Sequence, residues 1–255
     1  MKKDISTGGS KYKNFGITTV GLGNVINSLM NIKKLVYDNS KYGLSELNQS
    51  RLKDYSNNEA LNKETLNASS YYGSDNKYCI ELTNKITSSL SDAMKNKKNR
   101  FGGTYKIGLS SPSYLFNGKF TNADFANKRK GTPYITHISG DNLAYTEVAI
   151  YASKLNYKNY LYNGNVLDIV LNPDIFHDNK DKLLSFIKTS IKIGVFQFQF
   201  NIFNSEVLIE AKEHPEKYPN LIVRVWGFSA YFKDLPESYK DLMIQRALKA
   251  EGKAS

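Results

Sequence analysis

Residues 195–203 read VFQFQFNIF, apolar and amide side chains alternating almost without a break. Side chains on a β-strand point alternately to opposite faces, so this segment forms a strand with one mainly aromatic face and one carrying Gln197, Gln199 and Asn201. A helix would scatter the same residues around its circumference. The aromatic face must be covered by other apolar elements, and a row of amides on the other face seeks polar partners. The segment 165–171 (NVLDIVL) reads as a second, fully buried strand, and 221–225 as a third. Helical periodicity over 144–155, 179–193, 204–214 and 237–250 places helices around these strands. Strand and helix alternating along the last hundred residues predict an α/β layer architecture.

The N-terminal half is richer in helix. Val25, Leu29, Ile32, Leu35 and Val36 recur at helical spacing over about 23–38, and a shorter helix is expected near 45–54, opened by Ser45 with Glu46 in its first turn. Residues 55–75 read as loop with one helical turn. Over 75–97, Ile80, Leu82, Ile86, Leu90 and Met94 form a broad apolar face, with Asp75 available as N-cap. Residues 104–109 alternate like a short strand. A polar stretch punctuated by Gly, Pro and Asn runs from 110 to 143.

Composition narrows the chemistry. The chain has 255 residues, 40% hydrophobic and 23% charged, enough for a sizeable core. No apolar run reaches the roughly 18–20 residues of a membrane span, and no apolar segment follows the first residues as in a signal peptide, so a cytoplasmic protein without membrane contact is expected. One cysteine, Cys79, excludes a disulfide framework within this chain and any cysteine-only metal centre built from it alone. The histidines His137, His177 and His214 lack ligand spacing, so no metal is expected. Net charge is +11, yet only five of the 35 basic residues are arginines, and the lysines are scattered through Asn- and Ser-rich segments. Nucleic acid is not the expected partner. No Walker loop, complete dinucleotide fingerprint or hydrolase elbow is present.

The chemistry-bearing segment is 224–232, RVWGFSAYF, between the strand 221–225 and the last helix. Taken locally, Gly227 supplies a positive φ or a close backbone approach at a strand end. This string, preceded by EAKEHPEKYPNLIV and followed by KDLPESYKDLMIQRA, resembles the glycyl radical signature of the pyruvate formate-lyase-like enzymes, with Arg224, Val225, Gly227, Phe228, Ser229 and Phe232 matching its pattern. Further matching strings run along nearly the whole chain: 8–36 (GGSKYKNFGITTVGLGNVINSLMNIKKLV), 66–76 (LNASSYYGSDN), 101–111 (FGGTYKIGLSS), 127–133 (NKRKGTP) and 194–218 (GVFQFQFNIFNSEVLIEAKEHPEKY). In the 127–133 stretch, Asn127 and Lys128 depart from the family's usual Asp-Gly, while Arg129 and Lys130 are retained.

The resemblance implies that Gly227 carries an organic radical. A Cα-centred radical is stabilised when amide nitrogen and carbonyl lie coplanar with it, an arrangement that a Cβ would crowd. Arg224 and Ser229 are expected to help hold the loop beside Val225, and Trp226, Phe228, Tyr231 and Phe232 to shield the spin, a role compatible with ordinary core packing. No bound cofactor is implied; a radical-SAM iron–sulfur activating enzyme installs the radical under anaerobic conditions. In the family a cysteine on a facing loop yields the thiyl radical that attacks substrate. Cys79 lies in a helical segment instead and reads as a small buried hydrophobe. Tyr105, Gln197, Gln199 and His137 are candidates to face a substrate pocket, each with a structural alternative.

The fold implied is the C-terminal part of a ten-stranded barrel of two antiparallel five-stranded halves: second half-barrel, outer helices and radical loop. Residues 1–125 would form a mainly helical outer part, and 126–255 the glycine radical domain with barrel strands, radical loop and C-terminal helix. A half-barrel leaves open edges and apolar surface, so a partner polypeptide carrying the cysteine loop, as in a split enzyme, is expected, and an oligomer is compatible. The function implied is that of the radical-carrying part of a formate acetyltransferase-, lyase-, dehydratase- or decarboxylase-type enzyme, inactive alone. The Ser-Ala pair after Gly-Phe leans away from strict pyruvate formate-lyase. The alternatives are a non-catalytic relic or binding module, and a spare-part subunit that repairs an oxygen-cleaved enzyme.

Overall fold

A computed structural model describes residues 3–67, 71–109, 122–126, 136–139, 143–157, 165–225 and 228–253. The expected strand 195–203 is β5 (Gln197–Ile202), and it lies parallel to β4 (Val166–Leu171) in the register Val166↔Gln197 through Leu171↔Ile202. On the other side of β4, β3 (Ile138–Ser139) pairs in parallel. A further parallel pair, β1 (Phe15–Thr18) with β2 (Tyr105–Gly108), is joined to this sheet where Leu109 bridges Asn165 in the parallel sense. All five strands therefore run one way, as the staves of one half-barrel. Parallel neighbours need crossovers, and helices supply them on one face.

Strands β1 and β3 were not expected, because FGIT and IS are too short and too polar to show a period of two. Asparagines set β1 beside β2. Asn99 Nδ2 donates to the Lys13 carbonyl at 2.5 Å, and Asn14 Oδ1 accepts from the Thr104 N–H and hydroxyl at 3.1 and 2.8 Å. Gly103 is required here, since a Cβ would run into the Lys13 carbonyl.

The helices are α1 (Leu22–Ile32), α2 (Leu44–Leu52), α3 (Glu59–Asn67), α4 (Lys77–Met94), α5 (Tyr145–Ser153), the short α6 (Ile175–Asp178), α7 (Lys180–Ile193), α8 (Ser205–Glu213) and α9 (Glu237–Ala250). Helix α3 corrects the loop reading of 55–75. Helix α1 continues as a π-helical segment, Lys33–Asp38. Its core stripe is Leu22, Ile26 and Met30, while Val25 and Leu29 of the expected face stay partly exposed in a groove with Val20, Ile32 and Phe125. The helix is rolled by about one residue from the reading of its apolar spacing, because two apolar stripes compete and the one that meets β4 and α4 buries more. Two caps also differ. Asn76, not Asp75, caps α4 by accepting the Cys79 N–H at 3.0 Å, and Asp75 pairs with Lys154 instead. Helix α2 begins at Leu44 after Gly43, without a side-chain cap.

Residues aligned in a parallel pair project to the same face. Leu167 and Ile169, with Phe198 and Phe200, lie on the face of the main core, which also takes in residues of α1, α4 and α5, and Phe198 meets Phe186 of α7 edge-on. Asp168, Val170, Gln199 and Asn201 form the opposite face. Val170 there joins a second core of Val223, Val225, Phe232, Leu208 and the α9 residues Tyr239, Met243 and Ala247. Asp168 is fully buried in mid-strand; it accepts from Gln199 Nε2 at 2.9 Å and pairs with Arg246 of α9, 4% exposed. An ion pair so deep is a strong constraint on where α9 sits, because either charge alone would be stranded out of water.

Arg246→Met alone is expected to cost about 3–5 kcal/mol by leaving Asp168 uncompensated. Asp168→Asn combined with Arg246→Met should recover most of that loss, since the amide still accepts from Gln199; denaturant midpoints of the three proteins check this.

Glu251 accepts the Ser205 N–H and hydroxyl at 2.7 Å each, tying the start of α8 to the end of α9. Burial alone would raise its carboxyl, but the Ser205 hydrogen bonds and Lys253 outweigh it and hold the group below its ordinary value. A depressed folded-state value contributes stability above the unfolded value of about 4.3, lost as pH falls through the folded one. Glu251→Gln is therefore expected to lower stability near neutrality and to flatten the acid limb, the two proteins converging at low pH, measured as denaturant midpoint against pH.

Candidate functional site

The segment carrying the signature is an antiparallel hairpin, β6 (Ile222–Val225) against β7 (Phe228–Tyr231), in the register Ile222↔Tyr231, Val223↔Ala230, Arg224↔Ser229 and Val225↔Phe228. The sequence reading ended the strand at 225 and missed β7, because FSAY alternates too weakly over four residues to stand apart from a loop. Trp226 and Gly227, between the paired ends, lie outside the described residues, as does the 127–133 stretch.

The two faces of β6 differ sharply. Val223 and Val225 are buried, and with Phe232 they seat the hairpin on α8, α9 and Val170. Ile222 and Arg224 point the other way and are exposed, as are Ser229 and Tyr231 opposite them. Arg224 Nη1 donates to the Ser229 hydroxyl at 3.3 Å across the hairpin. Of the aromatics expected to shield the segment, Phe232 is fully buried, whereas Phe228 and Tyr231 expose 40% and 45% of their surface on this chain. Strand alternation accounts for Tyr231, which is adjacent to Phe232 and takes the other face; Phe228 pairs with Val225 yet stays partly exposed at the end of the strand.

The hairpin's third contact is with the half-barrel itself. Asn201, buried on the amide face of β5, donates from Nδ2 to the Arg224 carbonyl at 3.1 Å and accepts the Arg224 N–H on Oδ1 at 3.0 Å. The amide face named from sequence thus splits into three environments. Gln197 is exposed, Gln199 is engaged with Asp168, and Asn201 holds the hairpin. Tyr105, half-buried on β2, meets Phe15 edge-on at 6.2 Å and shares no partner with Gln199. His137 is buried beside β3. Asp168 and Arg246 were not singled out from sequence. The available signal was a lone carboxylate inside the apolar run NVLDIVL, which demands a buried cation or amides.

Among the described residues, no group of three His, Cys, Asp or Glu side chains could hold a metal ion, and no helix is long and apolar enough to cross a membrane. Cys79 is fully buried in α4; its thiol donates to the Tyr71 carbonyl at 3.1 Å, and burial pushes the thiol up to about 12. A thiol so placed is inert. In native protein near pH 8, Cys79 is expected to resist a thiol-modifying disulfide reagent and to react fully only after denaturation; rapid stoichiometric labelling of the native chain would contradict its placement.

Two family models match this chain, Pyruvate formate lyase-like over residues 1–115 and Glycine radical over residues 133–233. The trans-4-hydroxy-L-proline dehydratase of Clostridioides difficile is 27% identical over 251 residues, covering 96% of this chain and 32% of that enzyme. An isethionate sulfite-lyase of Oleidesulfovibrio alaskensis is 30% identical over 243 residues, covering 89% of this chain and 28% of the relative. The solved structure of the B12-independent glycerol dehydratase from Clostridium butyricum, in its glycerol-bound form, superposes with a TM-score of 0.85 at 28% identity over 95% of this chain and 31% of that one. The chain spans about a third of the length of the relatives it matches. With five parallel staves, outer helices and the hairpin that bears the signature, these 255 residues belong to the pyruvate formate-lyase-like family of glycyl radical enzymes and correspond to the C-terminal part of its α/β fold.

Proposed function

We propose that this chain is the radical-carrying part of a glycyl radical enzyme, with Gly227 the residue that stores the unpaired electron. The observation that carries this reading is the hairpin. Residues 224–232 keep the signature order, position 227 falls inside the stretch matched by the Glycine radical model, and β6 and β7 flank it in register. The buried side chains Val225 and Phe232 anchor both sides of the segment. Arg224 and Ser229, joined across the strands, hold its two arms together.

In this reading an activating radical-SAM iron–sulfur enzyme removes one hydrogen atom from the Gly227 Cα. The glycyl radical then accepts a hydrogen atom from a cysteine thiol, which restores Gly227 and leaves a thiyl radical to attack substrate. Cys79 does not suit that role, being buried with its thiol engaged by Tyr71. The sulfur that exchanges with Gly227 is supplied by sequence outside these 255 residues, and so is most of the substrate pocket. The chain alone is therefore inactive. The exposed Phe228 and Tyr231 become shielded once that remaining part covers the hairpin. Residues 126–255 act as the glycine radical domain, and 1–125, expected to be a mainly helical outer part, supply outer helices together with the staves β1 and β2. The reaction class is a radical-initiated elimination or bond cleavage, as in the dehydratases and the sulfite-lyase to which the chain is similar.

Anaerobic activation of this chain together with its cysteine-bearing portion is expected to give an electron spin resonance doublet from the single Cα hydrogen left on Gly227. Gly227→Ala should abolish it. A wild-type protein that never acquires the signal, or a Gly227→Ala variant that keeps it, would overturn the reading.

A further inference from the structure

The hairpin's edge toward the barrel carries a device that the signature does not include. Pairing alternates along an antiparallel ladder between residues that exchange both backbone hydrogen bonds and residues that exchange none. The Phe232 N–H donates to the Leu221 carbonyl at 2.8 Å, so the pairs 221/232, 223/230 and 225/228 are the bonded ones. Arg224, opposite Ser229, therefore turns its N–H and carbonyl away from β7 and toward β5. No backbone of β5 takes them; the Asn201 side chain does, filling both with one amide at 3.0 and 3.1 Å while itself only 3% exposed.

A primary amide is the side-chain group that presents a donor and an acceptor side by side, as a neighbouring strand would. Asn201 thereby substitutes for a strand at one point, which fixes β6 along the barrel axis at a single residue, while the other contacts that seat the described residues of the hairpin are apolar. Apolar contact is non-directional and would tolerate sliding, whereas two hydrogen bonds to one residue would not. Asn201 is itself held, since β5 is locked in register to β4 and Asp168 of β4 is bonded to Gln199, two positions along the same face.

We propose that Asn201 is a positioning residue for the radical site: its amide sets the height of Arg224, three residues before Gly227, against barrel strand β5. This rests on Gly227 as the radical carrier. The variants are Asn201→Asp, which keeps the acceptor and loses the donor, and Asn201→Leu, which loses both, each in the full protein including its cysteine-bearing portion. Two readouts are needed. One is amide hydrogen exchange at Arg224, which involves no radical; the other is the spin resonance of the activated protein.

In Asn201→Leu, exchange at Arg224 should rise roughly tenfold or more, as expected for two lost hydrogen bonds, with β4 and α4 unchanged. Asn201→Asp should fall between. The radical per chain should decrease in the same order, and the hyperfine splitting of what remains should broaden, because a loosened hairpin samples several orientations about Gly227. Should Asn201→Leu fail to fold, Asn201→Asp carries the test alone. Unchanged exchange at Arg224 would refute the pin. Raised exchange with radical yield and lineshape identical to wild type would refute its role in positioning. A wild-type protein that exchanges as expected yet forms no radical overturns the assignment of Gly227, and with it the positioning role, but not the pin.

Discussion

The pairing of β4 with β5 bears the rest of the structure. Six residues of each strand run in register, and every residue of β4 is buried. Each face of the pair therefore meets a different packed layer. On one face Leu167, Ile169, Phe198 and Phe200 join the main core with residues of α1, α4, α5 and α7. On the other, the same register lines up Asp168 with Gln199 and Val170 with Asn201. Because the side-chain period of a strand is two, a slip of one residue would send the amides into the apolar core and the phenylalanines against the hairpin, at a cost of several unsatisfied polar groups. The pairing of aromatic with apolar and of carboxylate with amide makes one register far better than its neighbours.

From that sheet two polar connections reach the C-terminal elements. Asp168 fixes α9 through Arg246, and Asn201 fixes β6 through the backbone of Arg224. The apolar contacts of the second core supply most of the cohesion, and the polar ones supply position. This division suits the function proposed for the segment, which would depend on where one Cα lies. Val225 and Phe232 hold the hairpin down, and directional bonds set its place along the barrel. The same half-barrel leaves Phe228, Tyr231 and Ile222 partly exposed. Such a face matches a chain that spans about a third of its relatives' length.

Much of this is legible in the sequence. The alternation VFQFQFNIF specified β5 with its aromatic and amide faces, and the apolar run NVLDIVL specified β4, because burial and periodicity are properties of consecutive residues. Most helix positions followed for the same reason. Less was visible where elements are short or where stripes compete. Strands β1, β3 and β7 hold two to four residues each, too few to show a period, and they exist because a neighbour pairs with them. Helix α1 offered two apolar stripes, and the core chose Leu22, Ile26 and Met30. Of the residues expected around the hairpin, Val225 and Phe232 are buried and Arg224 and Ser229 meet; of those expected to face a pocket, Tyr105 and Gln199 keep different neighbours.

The sequence by itself determined the family, the place at 224–232 of the segment that resembles its glycine signature, and a single thiol, Cys79, since each is a matter of residue identity and order. The tertiary structure decided what those residues meet. That Asp168 answers Arg246 and Asn201 answers Arg224 could not be read along the chain, because the partners are far apart in sequence and their encounter is fixed by strand register and helix packing. Periodicity reports which face a residue takes; only the folded chain reports what stands opposite that face.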